Sequence, residues 1–120
     1  MKNILILLLS ILIISGCGSI EPRKNTGIIG KMENPPHLWS FHKVLEVEVK
    51  ACALKGLSSL KSLGFKRVVQ NGSYTYGIFN DNRAAVKCVD LEEKSLVYLA
   101  VAGQDKQIVE KLRNELAWKF

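Results

Sequence analysis

Three cysteines, two histidines and a few neighbouring carboxylates are the residues of this chain whose types could carry chemistry. The cysteines are Cys17, Cys52 and Cys88, and the histidines are His37 and His42. A catalytic cysteine needs a general base poised beside its sulfur. Both histidines precede Cys52, and no motif links either of them to Cys52 or Cys88. Zinc would call for thiolates and imidazoles at short spacings, and no such spacing occurs. Glu46 and Glu48 alternate with valines at the start of an apolar run. In the first turn of a helix they face different ways and meet the positive end of its dipole. Glu92-Glu93 belong to a turn. No catalytic residue, metal ligand or cofactor site is therefore assigned.

The amino terminus carries the most specific signal. Lys2 is its only charge, and "ILILLLSILII", residues 4 to 14, follows with Ser10 as its only non-hydrophobic member. Such a run is shorter than the roughly 20 residues a helix needs to span a bilayer, but it is the size of a secretory signal's apolar region. Ile14, Ser15, Gly16 and Cys17 come next. Together these residues resemble the lipobox of bacterial lipoproteins. By that resemblance the chain would be cut before Cys17, which would carry a diacylglycerol thioether and usually an acylated (palmitate-type) amine. Ile14 departs from the commoner Leu of the motif. Two or three acyl chains hold a protein firmly at a membrane without spanning it. Gly18 and Ser19 lack the Asp that marks inner-membrane retention, which favours the outer membrane, facing the periplasm, in a cell with two membranes. Nucleic acid is disfavoured by that compartment.

The elements that position the remaining residues follow from pattern. Residues 1–16 are the signal, 17–36 the lipidated cysteine and a tether, and 37–120 a single domain. Gly18, Gly27 and Gly30 loosen the tether, and Pro22, Pro35 and Pro36 prevent regular structure in it. At 5–6 Å times the square root of its length, it spans about 25 Å. Trp39 and Phe41, just after the prolines, pin it to the domain. Residues 39 to 44 are an extended lead-in. Val49, Cys52, Ala53, Gly56, Leu57 and Leu60 lie on one helical face, which predicts a helix from Glu46 or Val47 to Leu63, ended by Gly64.

Four strands are predicted next: 65 to 70, 73 to 80, 83 to 90 and 95 to 102. Asn71-Gly72, Asp81-Asn82 and "LEEK" separate them, the first being a strong hairpin signal. Gly77 inside the second suggests a bulge or a close helix crossing. "SLVYLAVA" is apolar on both faces and reads as a central or doubly covered strand. A last helix, 106 to 119, is capped by Asp105 and buries Ile108, Val109, Leu112 and Leu116 with Trp118 or Phe120. The predicted fold is α+β: a small antiparallel meander of about four strands flanked by two helices packed on one face, in the order α-β-β-β-β-α.

Within an exported domain, disulfides form. Cys52 lies on the predicted core face of the first helix and Cys88 shares a strand face with Val86, so a Cys52–Cys88 bridge is expected; two buried free thiols are the competing reading. The segments "ACALKGLSSLKSLGFK", "YGIFNDNRAAVKCV" and "AVAGQDKQIVEKLRNELAWK" resemble a small exported bacterial domain, itself uncharacterised, in which a helix cysteine and a strand cysteine accompany a closing helix. The resemblance supports the fold and the bridge, and brings no catalytic residues.

The chain has a formal net charge of +6. Lys50, Lys55, Lys61, Lys66, Arg67, Arg83 and Lys87 concentrate mid-chain, where they form either a solvated face or an attractor of anionic lipid, polymer or acidic protein. Tyr74 and Tyr76, with Ile78, make a same-face row on the second strand: cross-strand packing or a ligand platform. The functional expectation is a membrane-anchored, non-catalytic binding module of the cell envelope, in contact with an envelope protein or anionic envelope polymer. Its candidate surface is Arg83, Lys87, Tyr74 and Tyr76 on the exposed sheet face. A structural component of an envelope complex, docking through an apolar surface, and a hydrolase with a hidden site are the alternatives.

Overall fold

The structure, a computed structural model, describes residues 34–120. The signal, Cys17 and the tether up to residue 33 lie outside the described residues. In chain order the elements are β1 (His37–Leu45), α1 (Val49–Ser62), β2 (Lys66–Asn71), β3 (Tyr74–Phe79), β4 (Asn82–Leu91), β5 (Lys94–Gly103) and α2 (Lys106–Ala117). The strands form one antiparallel sheet in the order β1-β5-β4-β3-β2. The meander β2 to β5 is thus extended by β1, which runs along the outer edge of β5. Among the described residues the sheet has five strands, not four, and the order is β-α-β-β-β-β-α.

The extra strand is the lead-in. Its conformation is extended as predicted, but it pairs with β5 from His37↔Gly103 to Leu45↔Ser95. Trp39 and Phe41 are therefore strand residues. They face the core from β1, and the Arg113 guanidinium lies 5.4 Å from the Trp39 ring.

Helix α1 begins at Val49, where its apolar periodicity begins, and not at the expected Glu46 or Val47. The buried Ser95 hydroxyl donates to the Val47 carbonyl at 2.8 Å, and Lys94 pairs with Glu46 at 2.9 Å. These contacts hold residues 46 and 47 out of the helix. The Glu46–Lys94 pair is exposed, so it fixes geometry more than it stabilises. At the other end Gly64 has φ +83°. Its amide donates to the Lys61 carbonyl and that of Phe65 to Leu60, each at 3.1 Å, which is the paired-bond ending that an αL glycine permits.

Both helices cover the same side of the sheet. Cys52 and Leu60 of α1 and Val109, Leu112 and Leu116 of α2 meet Val86, Cys88, Val97, Leu99 and Val101 in one core. The Asp105 carboxylate caps α2, accepting from the amides of Gln107 at 2.9 Å and Ile108 at 3.1 Å, an arrangement worth about 1 kcal/mol. Ile108, expected in the buried stripe, is exposed, and of the two alternatives Trp118 and Phe120 for its end, Trp118 is exposed. Trp118 falls after the helix ends at Ala117, where tighter bonds from Lys119 to Leu116 and Phe120 to Ala117 take over. Phe120 instead packs on the core edge.

Glycine 77 marks a bulge. Lys66 pairs with Ile78 and Val69 with Tyr76, so Arg67 and Val68 together oppose Gly77. Arg67 takes a φ of 49° there. A Cβ on Gly77 would come within 3.2 Å of both Phe65 and Val68, so the missing side chain lets the bulged strand approach.

Candidate functional site

Cys52 and Cys88 form a disulfide, with their Cα atoms 6.1 Å apart. Both are fully buried, and the bridge ties α1 to β4, an inner strand of the sheet. Their sulfurs are bonded to each other, so in this state neither is a thiolate nucleophile or a metal ligand. Of the histidines, His37 opens β1 and His42 lies on the sheet face opposite the helices. Among the described residues no group of three or more His, Cys, Asp or Glu is placed to hold a metal ion, and no helix is long and apolar enough to cross a membrane.

The sheet face away from the helices carries the other candidates. Strand alternation sends Ala84, Val86 and Cys88 into the core and Arg83, Ala85, Lys87 and Val89 to the open side. Antiparallel register then fixes the neighbours. Tyr74, Lys87, Tyr98 and His42 form one row across β3, β4, β5 and β1. A second row runs Val69, Tyr76, Ala85, Ala100 and Ser40 across all five strands. The third is Ile78, Arg83, Ala102 and Leu38.

All four residues singled out from sequence therefore share one face. Tyr74 and Tyr76 are 38% and 42% exposed, so neither belongs to the core. Their rings pack on each other at 5.5 Å. The Lys87 ammonium donates to the Ser73 hydroxyl at 3.1 Å, which steadies it beside Tyr74. Arg83 and Lys87 are both exposed.

Around these residues lies a broad apolar surface. Leu38 and Tyr98 are 66% and 45% exposed, and Val44, Val69, Val89 and Leu91 are exposed as well. Ala85, Ala100 and Ala102 form the floor of a shallow trough of about 440 Å³, flanked by Leu38, Tyr76, Ile78, Val69 and the two arginines Arg67 and Arg83. No strand position on this face of the described residues carries a carboxylate. The nearest acids, Glu46, Asp81, Glu92 and Glu93, are in the connecting turns. The face is thus apolar and aromatic with cationic side chains only.

Sequence reasoning missed Tyr98, the alanine floor and Leu38, and named Arg67 only among the mid-chain basic residues. For Tyr98, Ala100 and Ala102 the signal was present: β5 is apolar on its second face as well as its first. Lys66, paired with Ile78, extends the third row onto β2, and the basic residues of α1 do not join this surface. Lys50, Lys55 and Lys61 project from α1, on the opposite side of the sheet.

No protein-family model matches the chain, and no curated protein matches it.

Proposed function

We propose that the protein is a lipid-anchored, non-catalytic binding module of the bacterial envelope whose contact surface is the open sheet face. The observation that carries this reading is a face that the other described residues leave uncovered, joining exposed tyrosines and apolar side chains to Arg83 and Lys87, without a carboxylate among its described strand positions. Tyrosine and arginine are the residues that dominate binding energy at protein interfaces. An all-cationic fringe steers an anionic partner and selects against a cationic one. The lipobox places the domain about a tether's length from a membrane, so its partner is an envelope molecule. The resemblance of residues 45 to 120 to a small exported domain supports the same compartment. A second reading, a component docked permanently on an envelope complex, draws on the breadth of the apolar surface around Tyr98, Leu38 and Val44.

Charge reversal separates the two. With Arg83→Glu and Lys87→Glu together, partner recovered after in-cell crosslinking should fall at least tenfold, and the salt sensitivity of the wild-type complex should disappear. An apolar dock would lose little and show no salt dependence in either form. Thermal unfolding of the variant should match wild type, since both side chains are exposed.

A further inference from the structure

Resting on that reading, we infer that the open face takes an amphipathic α-helix of an acidic partner protein, laid across the strands over Ala85 and Ala100. The first reason is hydrogen bonding. Inside a sheet the backbone groups are already paired, so its face offers a ligand only side chains. An extended peptide lying there would leave its own amides and carbonyls unpaired. A helix satisfies its backbone internally and needs only an apolar stripe to bury. The opposite side of this same sheet already carries two helices.

Dimensions give the second reason. Arg83 and Lys87 stand on one strand with Ala85 midway between them. At about 3.4 Å per residue their Cα atoms are roughly 13–14 Å apart, and a helix with its side chains is about 10–12 Å wide. A helix over the Val69–Tyr76–Ala85–Ala100–Ser40 row would have one flank at Arg83 and the other at Lys87. That row crosses the whole sheet, about 19 Å at the usual strand spacing, which is about 13 residues of helix. The occupant is therefore a helix of three to four turns with carboxylates on both flanks of a small-residue or leucine stripe.

Charge weighs against the nearest rival, a second copy of this chain. Two open faces brought together would juxtapose Arg83 and Lys87 with their own counterparts and no carboxylate on the described strand positions to neutralise them, on a chain of net charge +6. A bilayer surface fits the charge as well, and the phosphatidylglycerol arm of the test separates it from a helix.

The test uses the full mature, lipidated protein in phosphatidylcholine nanodiscs with isotope-labelled alanine methyls. Two synthetic helices of about 14 residues share one leucine-alanine stripe; one is flanked by glutamates, the other by lysines. The acidic helix should shift the methyls of Ala85, Ala100 and Ala102, leave those of Ala51 and Ala53 on α1 unmoved, and bind at least tenfold tighter than the basic one. Arg83→Glu with Lys87→Glu should invert that preference. Equal binding of the two helices, shifts centred on α1, or no shift up to millimolar peptide would overturn the inference. So would movement of the same methyls on adding phosphatidylglycerol to the nanodisc, on raising protein concentration, or on adding polygalacturonate in preference to the peptide. These outcomes assign the face to a membrane, a second copy or an anionic glycan. If neither helix binds while crosslinking in cells still depends on Arg83 and Lys87, the helical occupant is wrong and the binding module stands. If neither responds, both are wrong.

Discussion

Replacing Cys52 and Cys88 together by alanine should destabilise the domain by about 4 kcal/mol, on the chain-entropy cost of a loop closed across 36 residues. For a small domain with roughly 5–15 kcal/mol in hand, that is a large share. It corresponds to a fall in Tm of roughly 15–30 °C at 4–8 °C per kcal/mol. The position of the bridge adds to the expectation. Both sulfurs sit in the centre of the core, between α1 and the valines of β4 and β5, so alanine also leaves unfilled volume. Wild-type protein treated with reductant should melt near the variant. A Tm within a few degrees of wild type in both experiments would show that packing alone holds α1 on the sheet. Native protein that yields two free thiols on denaturation without reductant would contradict the bridge directly.

The second large effect concerns Cys17. If the lipobox acts as its resemblance implies, wild-type cells fed a tagged palmitate will label this protein, and its mature form will begin at Cys17. Cys17→Ser should abolish the label completely and leave a precursor that keeps residues 1–16. Residues 18–120 exported behind an ordinary cleavable signal should appear in the soluble periplasmic fraction. The physical reason is additive: at about 0.8 kcal/mol per buried methylene, two or three chains hold the domain where one would hold it marginally. Retained label in the serine variant, or a mature amino terminus elsewhere, would remove the anchor. It would also remove the argument that confines the partner to the envelope.

The fold was legible wherever local pattern decides it. The helical face from Val49 to Leu60, the Gly64 stop, the Asp105 cap and the alternation of β4 all depend on residues close in sequence. The three hairpins follow too, but the loops fall at Gly72-Ser73 and Asn80-Asp81, one residue away from the expected Asn71-Gly72 and Asp81-Asn82, and at Glu92-Glu93 within the expected "LEEK". What escaped depends on distant partners. The β1 pairing joins His37 to Gly103 across most of the domain, and an edge strand with Trp39 and Phe41 inward but Leu38 and Val44 outward shows no clean alternation. The start of α1 is set by Ser95 and Lys94, which reach Val47 and Glu46 from the far end of the chain.

The candidate site divides in the same way. Arg83 and Lys87 were placed on an outer face by simple alternation. Tyr74 and Tyr76 could be assigned to one side of β3 but not to a particular side of the sheet. Only register across β3 and β4 sets Tyr74 beside Lys87 and Tyr76 beside Ala85. "SLVYLAVA" was readable as apolar on both sides. That one of those sides is left open follows from where the helices lie, because α1 and α2 share the other. An apolar side that the described residues leave uncovered is the feature on which the functional reading turns.

The most direct test of that reading is site-specific photocrosslinking in living cells. A benzophenone amino acid is placed at Ala100, on the open face, and separately at Lys61, on the exposed side of α1. Irradiation should give a discrete crosslinked product from position 100 and none from 61, and Arg83→Glu with Lys87→Glu should abolish it. A product from position 61 instead, or one from position 100 that is indifferent to the charge reversal, would contradict an electrostatically steered binding face on this sheet.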